Sequence, residues 1–177
     1  MIEEVILVNT SDEVIGTMPK LEAHLQGKLH RAFSIFIFNA SKQLLLQQRA
    51  LNKYHSPGKW TNTCCSHPKP GEETADATVR RLQEEMGMEC KMEPVFSFRY
   101  EAEVGDGLIE NEYDHVYFGT SDSLPHPNAE EVSAFRYVDM EELKADLIEH
   151  PENYTAWLKI SFEQVLFHYY KMFTKEF

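Results

Sequence analysis

The chain has 177 residues, 42% of them hydrophobic and 12% aromatic, with eight glycines and eight prolines; this excludes a disordered, collagenous or low-complexity polymer and fits one domain with a substantial core. Its 29 acidic and 17 basic side chains give a formal charge of −12, so the average surface repels a nucleic-acid backbone. No stretch approaches the roughly 18 uninterrupted apolar residues of a membrane span, and Met1-Ile2-Glu3-Glu4 lacks the basic start of a signal peptide, so a cytoplasmic protein with no membrane and no nucleic-acid partner is expected.

Val5 to Val8 and Val14 to Ile15 flank the polar Asn9-Thr10-Ser11-Asp12 and read as a hairpin. Thr17 to His30 then reads as an irregular connection that carries Lys20, His24 and His30. Phe33 to Phe38 and Leu44 to Gln48 are β-rich runs, the first apolar on both faces as a central strand requires, and Arg49 stands at the end of the second. Leu51 to Gly71 is punctuated by Pro57, Gly58, Pro68 and Pro70-Gly71 and reads as loop with short extended pieces. From Glu72 to Met86 the pattern is helical, with Ala75, Val79, Leu82 and Met86 on one stripe and Gly87 as the stop. Val95 to Glu101 and Asn111 to Gly119 are strands about a Gly105-Asp106-Gly107 turn, and Val132 to Val138 is another. Asp139 opens a helix to about Glu149, and Lys159 to Phe173 carries a last apolar helical stripe. Strands mixed with helices, without repeat or linker, imply one layered α/β domain spanning 1–177.

The densest chemistry lies in Thr61-Asn62-Thr63-Cys64-Cys65-Ser66-His67-Pro68. Cys64, Cys65 and Cys90 are odd in number and read as thiols. In an extended chain, side chains two apart share a face, so Cys65 points with His67 while Cys64 points away. The same rule puts Glu110 and Glu112 on one face, where two carboxylates repel unless a cation or a proton sits between them. Taken singly, each of these features has an ordinary structural use. On the Glu72–Met86 helix, Arg81 and Glu85 lie beside the apolar stripe and are candidates to face a site, or else form a plain i,i+4 pair worth ~0.2–0.5 kcal/mol.

The run Glu72-x7-Arg80-Arg81-Leu82-x-Glu84-Glu85-x-Gly87-Met88 resembles a Nudix box, with Ser66 where the box begins with Gly and Arg81 where it has Glu. Together with the Thr61–Pro68 run, Glu110-Asn111-Glu112, Leu29-His30-Arg31-Ala32-Phe33-Ser34 and the upstream His24, the pattern from Lys20 to Trp157 is similar to the type I isopentenyl-diphosphate isomerases. That resemblance implies a Nudix-type α/β/α sandwich with a mixed sheet, its Nudix-like core at about 30–140, and interconversion of isopentenyl and dimethylallyl diphosphates for isoprenoid synthesis. It implies that His24, His30, His67, Glu110 and Glu112 hold one divalent ion, with Cys65 and Glu112 catalytic, and that Glu85 binds a Mg²⁺ arriving with the diphosphate. Lys20, Arg49, Lys53 and Arg81 match the positions that grip the diphosphate, and Tyr100 and Trp157 match the aromatics around the hydrocarbon. Five ligands of this kind suit Mn²⁺ or Mg²⁺, and imidazoles also suit Zn²⁺. A small-molecule diphosphate as substrate and a monomeric or weakly dimeric state are expected. A Nudix hydrolase of a nucleoside diphosphate derivative is the alternative, and a non-catalytic metal-binding module the third reading. His55, His115, His126, His150 and His168 receive no functional role.

Overall fold

The computed structural model describes residues 1–174. β1 (Glu4–Val8) and β2 (Val14–Pro19) form the expected antiparallel hairpin, turned by Asn9, whose side-chain oxygen accepts from the backbone N–H groups of Ser11 and Glu13. The connection expected to be irregular contains a helix, α1 (Lys20–Gln26). Its leucines, Leu21 and Leu25, face outward while Ala23 and His24 are buried, so no outside-polar period marks it in the sequence.

β3 (His30–Phe38) is the centre of the sheet, pairing antiparallel with β1, with β4 (Leu44–Arg49) and with β6 (Cys64–Ser66), and parallel with β8 (Ile109–Thr120). β5 (Trp60–Thr61) and β9 (Val132–Val138) pair with β4, and β7 (Met92–Glu103) pairs with β8. The sheet is therefore mixed.

The alternation of β3 feeds two cores. Phe33, Ile35 and Ile37 pack with Cys64 against Ala77, Leu82 and Met86 of α2 (Thr74–Met86). Phe36 and Phe38 point the other way, toward Met140 and Leu143 of α3 (Met140–Glu149) and Leu158, Phe162 and Val165 of α4 (Ala156–Phe173). Each such side chain contributes ~1.5–3 kcal/mol by leaving water. The result is the expected α/β/α sandwich.

Two helices differ from their sequence reading. α2 buries Ala77, Thr78, Leu82, Glu85 and Met86, whereas Ala75 and Val79 of the expected stripe are exposed. The helix is rolled so that a carboxylate, rather than a valine, faces inward. It ends where expected, at Gly87 with φ 60°, where an added Cβ would lie 2.5 Å from the His126 carbonyl oxygen. α4 begins at Ala156 rather than Lys159. Thr155, just before it, donates its backbone N–H to the Trp60 carbonyl at 3.1 Å and pairs its hydroxyl with that of Thr61 at 2.8 Å, which fastens Trp157 beside β5.

A candidate metal centre beside a cation-lined cavity

Five even-numbered residues of β8 form one buried row: Glu110, Glu112, Asp114, Val116 and Phe118. The last two belong to the core beneath α4. The first three continue that face as carboxylates, and a cluster of imidazoles meets them. His30 is the register partner of Glu112 across the parallel β3–β8 pair. His24 comes from α1, and His67 follows β6 on the face of Cys65.

One ligand atom from each of His24, His30, His67 and Glu110 lies within 4.8 Å of all the others. Glu112 completes the group, with its Oε2 at 3.1 Å from His67 Nε2 and 3.8 Å from His30 Nε2. Three atoms aimed into this space are buried and make no well-aligned hydrogen bond among the described residues: His24 Nε2, which lies 3.1 Å from Glu110 Oε1, His30 Nε2 and Glu110 Oε2. Orphaned buried polar atoms are costly, and a divalent cation satisfies all three. The far side of each ring is engaged. His30 Nδ1 donates to the Lys28 carbonyl at 2.8 Å, which leaves Nε2 as the lone pair, and His24 Nδ1 is bonded to the Tyr54 hydroxyl. Burial and the neighbouring His67 push His30 down to about 3, so its ring is neutral and ready to ligate. The residues present therefore fit a divalent ion.

The two carboxylates are driven apart. Burial alone would raise Glu110, but His24 and His55 hold it well below the usual range. Burial and the charge of Glu110 raise Glu112, against the opposing contacts of His67 and Tyr100. Tyr100 faces Glu112 directly across the β7–β8 pair and its hydroxyl donates to Glu112 Oε1.

A cavity of about 290 Å³ opens beside the cluster. Cys65 and Glu112 line it, with Lys20, Arg49, Lys53, Arg81, Glu85 and Trp157. Cys65 sits opposite Ser34, whose hydroxyl donates to Asp114 Oδ2 at 2.8 Å; burial raises the thiol, and Arg49 offsets part of that rise. Cys64 points to the opposite core and is fully buried. Tyr100 does not line the cavity and reaches it only through Glu112. The Arg49 guanidinium lies 5.3 Å from the centre of the Trp157 ring.

Most of the cations lining the cavity are already opposed by an acid, whereas Arg49 and Lys69 have no acid within ion-pair distance among the described residues. Lys20 pairs with Glu3 at 2.7 Å, Lys53 pairs with Glu131, and Arg81 contacts Glu85 at 2.5 Å, Glu84 at 2.7 Å and Glu131 at 3.6 Å. Arg80 turns to Glu72 instead, at 2.7 Å. Gln47 donates to the second oxygen of Glu85 at 2.9 Å and to the Thr63 carbonyl at 2.8 Å.

The sequence reading missed Glu3, Gln47, Tyr54, His55, Asp114 and Glu131. Gln47 carried a faint signal as a polar residue directly after Leu44-Leu45-Leu46. His55 is buried, with Nε2 at 2.9 Å from Glu110 Oε1, although it had been assigned no role.

A NUDIX domain model matches residues 28–158. The chain is 50% identical over 162 residues to the isopentenyl-diphosphate delta-isomerase of Pectobacterium atrosepticum, covering 92% of this chain and 90% of that one. It is 51% identical over 166 residues to isopentenyl-diphosphate delta-isomerase 1 of Aromatoleum aromaticum, covering 94% of each. Among solved structures, a Deinococcus radiodurans protein superposes with a TM-score of 0.75 at 22% identity, over 92% of this chain and 98% of that one, a likeness of fold alone.

Proposed function

The chain belongs to the Nudix family and, within it, to the isopentenyl-diphosphate delta-isomerases, and from that membership we propose how its residues divide the work. The enzyme is an isomerase that moves the double bond of isopentenyl diphosphate to give dimethylallyl diphosphate. An alkene is a weak base, so the shift runs through protonation of the terminal carbon to a tertiary carbocation-like state, then loss of a proton from the carbon nearer the diphosphate. Two proton-handling groups on the walls of one cavity are needed.

Cys65 and Glu112 take those parts. The observation that carries the reading is that both line the same cavity, with the His/Glu cluster behind Glu112 and the basic residues around the remaining wall. Tyr100 steadies the Glu112 carboxyl and contributes to its proton affinity. His24, His30, His67, Glu110 and Glu112 hold one divalent ion, Mn²⁺ or Mg²⁺, which when bound supplies positive charge that sharpens the acidity of a Glu112 proton. Glu85 receives the Mg²⁺ that accompanies the diphosphate, while Lys20, Arg49, Lys53 and Arg81 grip its oxygens. Binding energy spent on that handle orients the distant alkene. Trp157 presents an aromatic wall to the developing cation, a contact worth ~2 kcal/mol when desolvated, or about thirty-fold in rate. Acid strength, positioning and exclusion of water supply the rest, because water in the cavity would trap the cation as an alcohol.

Arg81 supports this reading over pyrophosphate hydrolysis, since a guanidinium stands where the Nudix box has a metal-binding Glu. Incubation with isopentenyl diphosphate and Mg²⁺ in deuterated water, followed by NMR, is expected to give the allylic isomer with deuterium at the new methyl group. Phosphate release without isomer would overturn the proposal in favour of hydrolysis.

A further inference from the structure

The loop pair Tyr54-His55 stands beside the ligand set rather than in it: His55 is not among the four residues whose ligand atoms converge within 4.8 Å, and its two ring nitrogens are engaged by Glu110 and Ser56. It nevertheless touches two of the ligands, His24 on its far ring nitrogen and Glu110 on one of its two carboxylate oxygens. His55 Nε2 lies 2.9 Å from Glu110 Oε1, the oxygen that also lies 3.1 Å from His24 Nε2, whereas Glu110 Oε2 is the orphaned oxygen. The Tyr54 hydroxyl bonds His24 Nδ1, whereas His24 Nε2 is the orphaned nitrogen. We infer that Tyr54 and His55 are positioning residues that clamp His24 at Nδ1 and Glu110 at Oε1, so that His24 Nε2 and Glu110 Oε2 are presented to the divalent ion.

The rest of the loop is built to hold the clamp still. The Ser56 hydroxyl lies 3.3 Å from His55 Nδ1, the tautomer in which that nitrogen accepts and Nε2 carries the hydrogen for Glu110. Arg49 donates to the His55 carbonyl at 3.2 Å. The His55 ring meets Tyr54 edge-on at 4.8 Å and Trp157 edge-on at 6.0 Å. A carboxylate with one oxygen tied down loses rotamer freedom before the ion arrives, and the ion then captures it at lower entropic cost. Supporting contacts of this kind typically change metal affinity by about 10–100-fold. The same loop carries Lys53 and contacts Arg49, so the diphosphate-binding side of the cavity and the ion's ligands share one support.

This inference rests on the His/Glu cluster binding a divalent ion, and the test separates the two ideas. Protein stripped with a chelator is titrated with Mn²⁺ while the free ion is followed by electron paramagnetic resonance, and the Co²⁺ form is examined by visible absorption. His55→Phe keeps a ring against Trp157 but has no donor, and His55→Gln restores an amide N–H for Glu110. Mn²⁺ binding is expected to weaken by about 10–100-fold in His55→Phe, to recover most of its strength in His55→Gln, and to weaken in Tyr54→Phe. The Co²⁺ bands are expected to shift in the Phe variants alone. Wild-type protein that binds no Mn²⁺ overturns the metal centre and the clamp together. Wild-type binding matched by His55→Phe, or equal losses in Phe and Gln variants, overturns the clamp alone.

Discussion

Tyr100 and Glu112 are register partners across the β7–β8 pair, and the phenol donates directly to the carboxylate that also faces His67 and His30. Glu112 therefore links the His/Glu cluster to the wall of the cavity through a single side chain. Burial, followed by the Glu112 charge, raises the Tyr100 phenol, so it remains a donor at neutral pH.

Tyr100→Phe removes that donor and little volume. A hydrogen bond to a charged group is worth ~1.5–3 kcal/mol, so kcat is expected to fall by about 10–100-fold. KM for isopentenyl diphosphate is expected to stay close to wild type because Tyr100 does not line the cavity. A rise in KM with unchanged kcat would place Tyr100 in substrate binding instead.

The adjacent cysteines separate chemistry from packing. Cys65→Ala is expected to abolish isomer formation while leaving the urea midpoint nearly unchanged. Cys64→Ser places a hydroxyl in the dry core among Phe33, Ile35 and Leu82, and is expected to cost ~1–3 kcal/mol of stability with activity retained. Parallel unfolding and turnover measurements on the two variants decide the matter, and interchanged results would reverse the assignment.

Glu131 occupies Lys53 and lies 3.6 Å from Arg81, so an arriving diphosphate has to displace it. Glu131→Gln relieves that competition. KM is expected to fall by a few-fold, the scale of a half-exposed ion pair of ~1 kcal/mol, with kcat little altered. Initial rates over a range of substrate concentrations read this directly, and a higher KM would mean that Glu131 organises the cations rather than guarding them.

Acid stability follows from carboxylates held below their usual range, of which Glu72 and Glu131 lie outside the His/Glu cluster. Arg80 holds Glu72 down, and at Glu131 the pairing with Lys53 outweighs the opposing effect of burial. Their folded values lie below the unfolded value of 4.5. The stability they contribute is therefore complete above that value and is lost as the pH falls through the folded one. Glu72→Gln is expected to be less stable than wild type by ~0.2–1 kcal/mol near neutral pH and to converge with it in acid. Urea midpoints measured in chelator across that range test this, and a gap that widens in acid would refute it.

The elements most legible in the sequence were those whose burial follows a simple period. β3 announced itself as a central strand because both of its faces meet apolar layers. The end of α2 was legible because its stop needs a left-handed residue, supplied by Gly87. The pattern failed where the site interrupts the core. Glu85 is buried against Gln47 and Arg81, so the inward face of α2 includes a charge and the apolar stripe was drawn through the exposed Val79. α1 was invisible for the same reason, since His24 points in toward Glu110 while Leu21 and Leu25 point out. The convergence of His24, His30, His67 and the β8 carboxylates followed from a motif resemblance. His55 has no place in that motif, and only the three-dimensional path of its loop reveals its contact with Glu110.

The β8 row that runs from Glu110 through Asp114 to Phe118 uses one face of one strand for both the carboxylates of the candidate site and the core. A slip of one residue against β3 would turn Asn111 and Tyr113 inward and carry Glu110 and Glu112 to the other side, at the moment the apolar residues also left their layer. Strand register is thereby tied to the site: a chain paired one step out of place loses its carboxylate row and its core together.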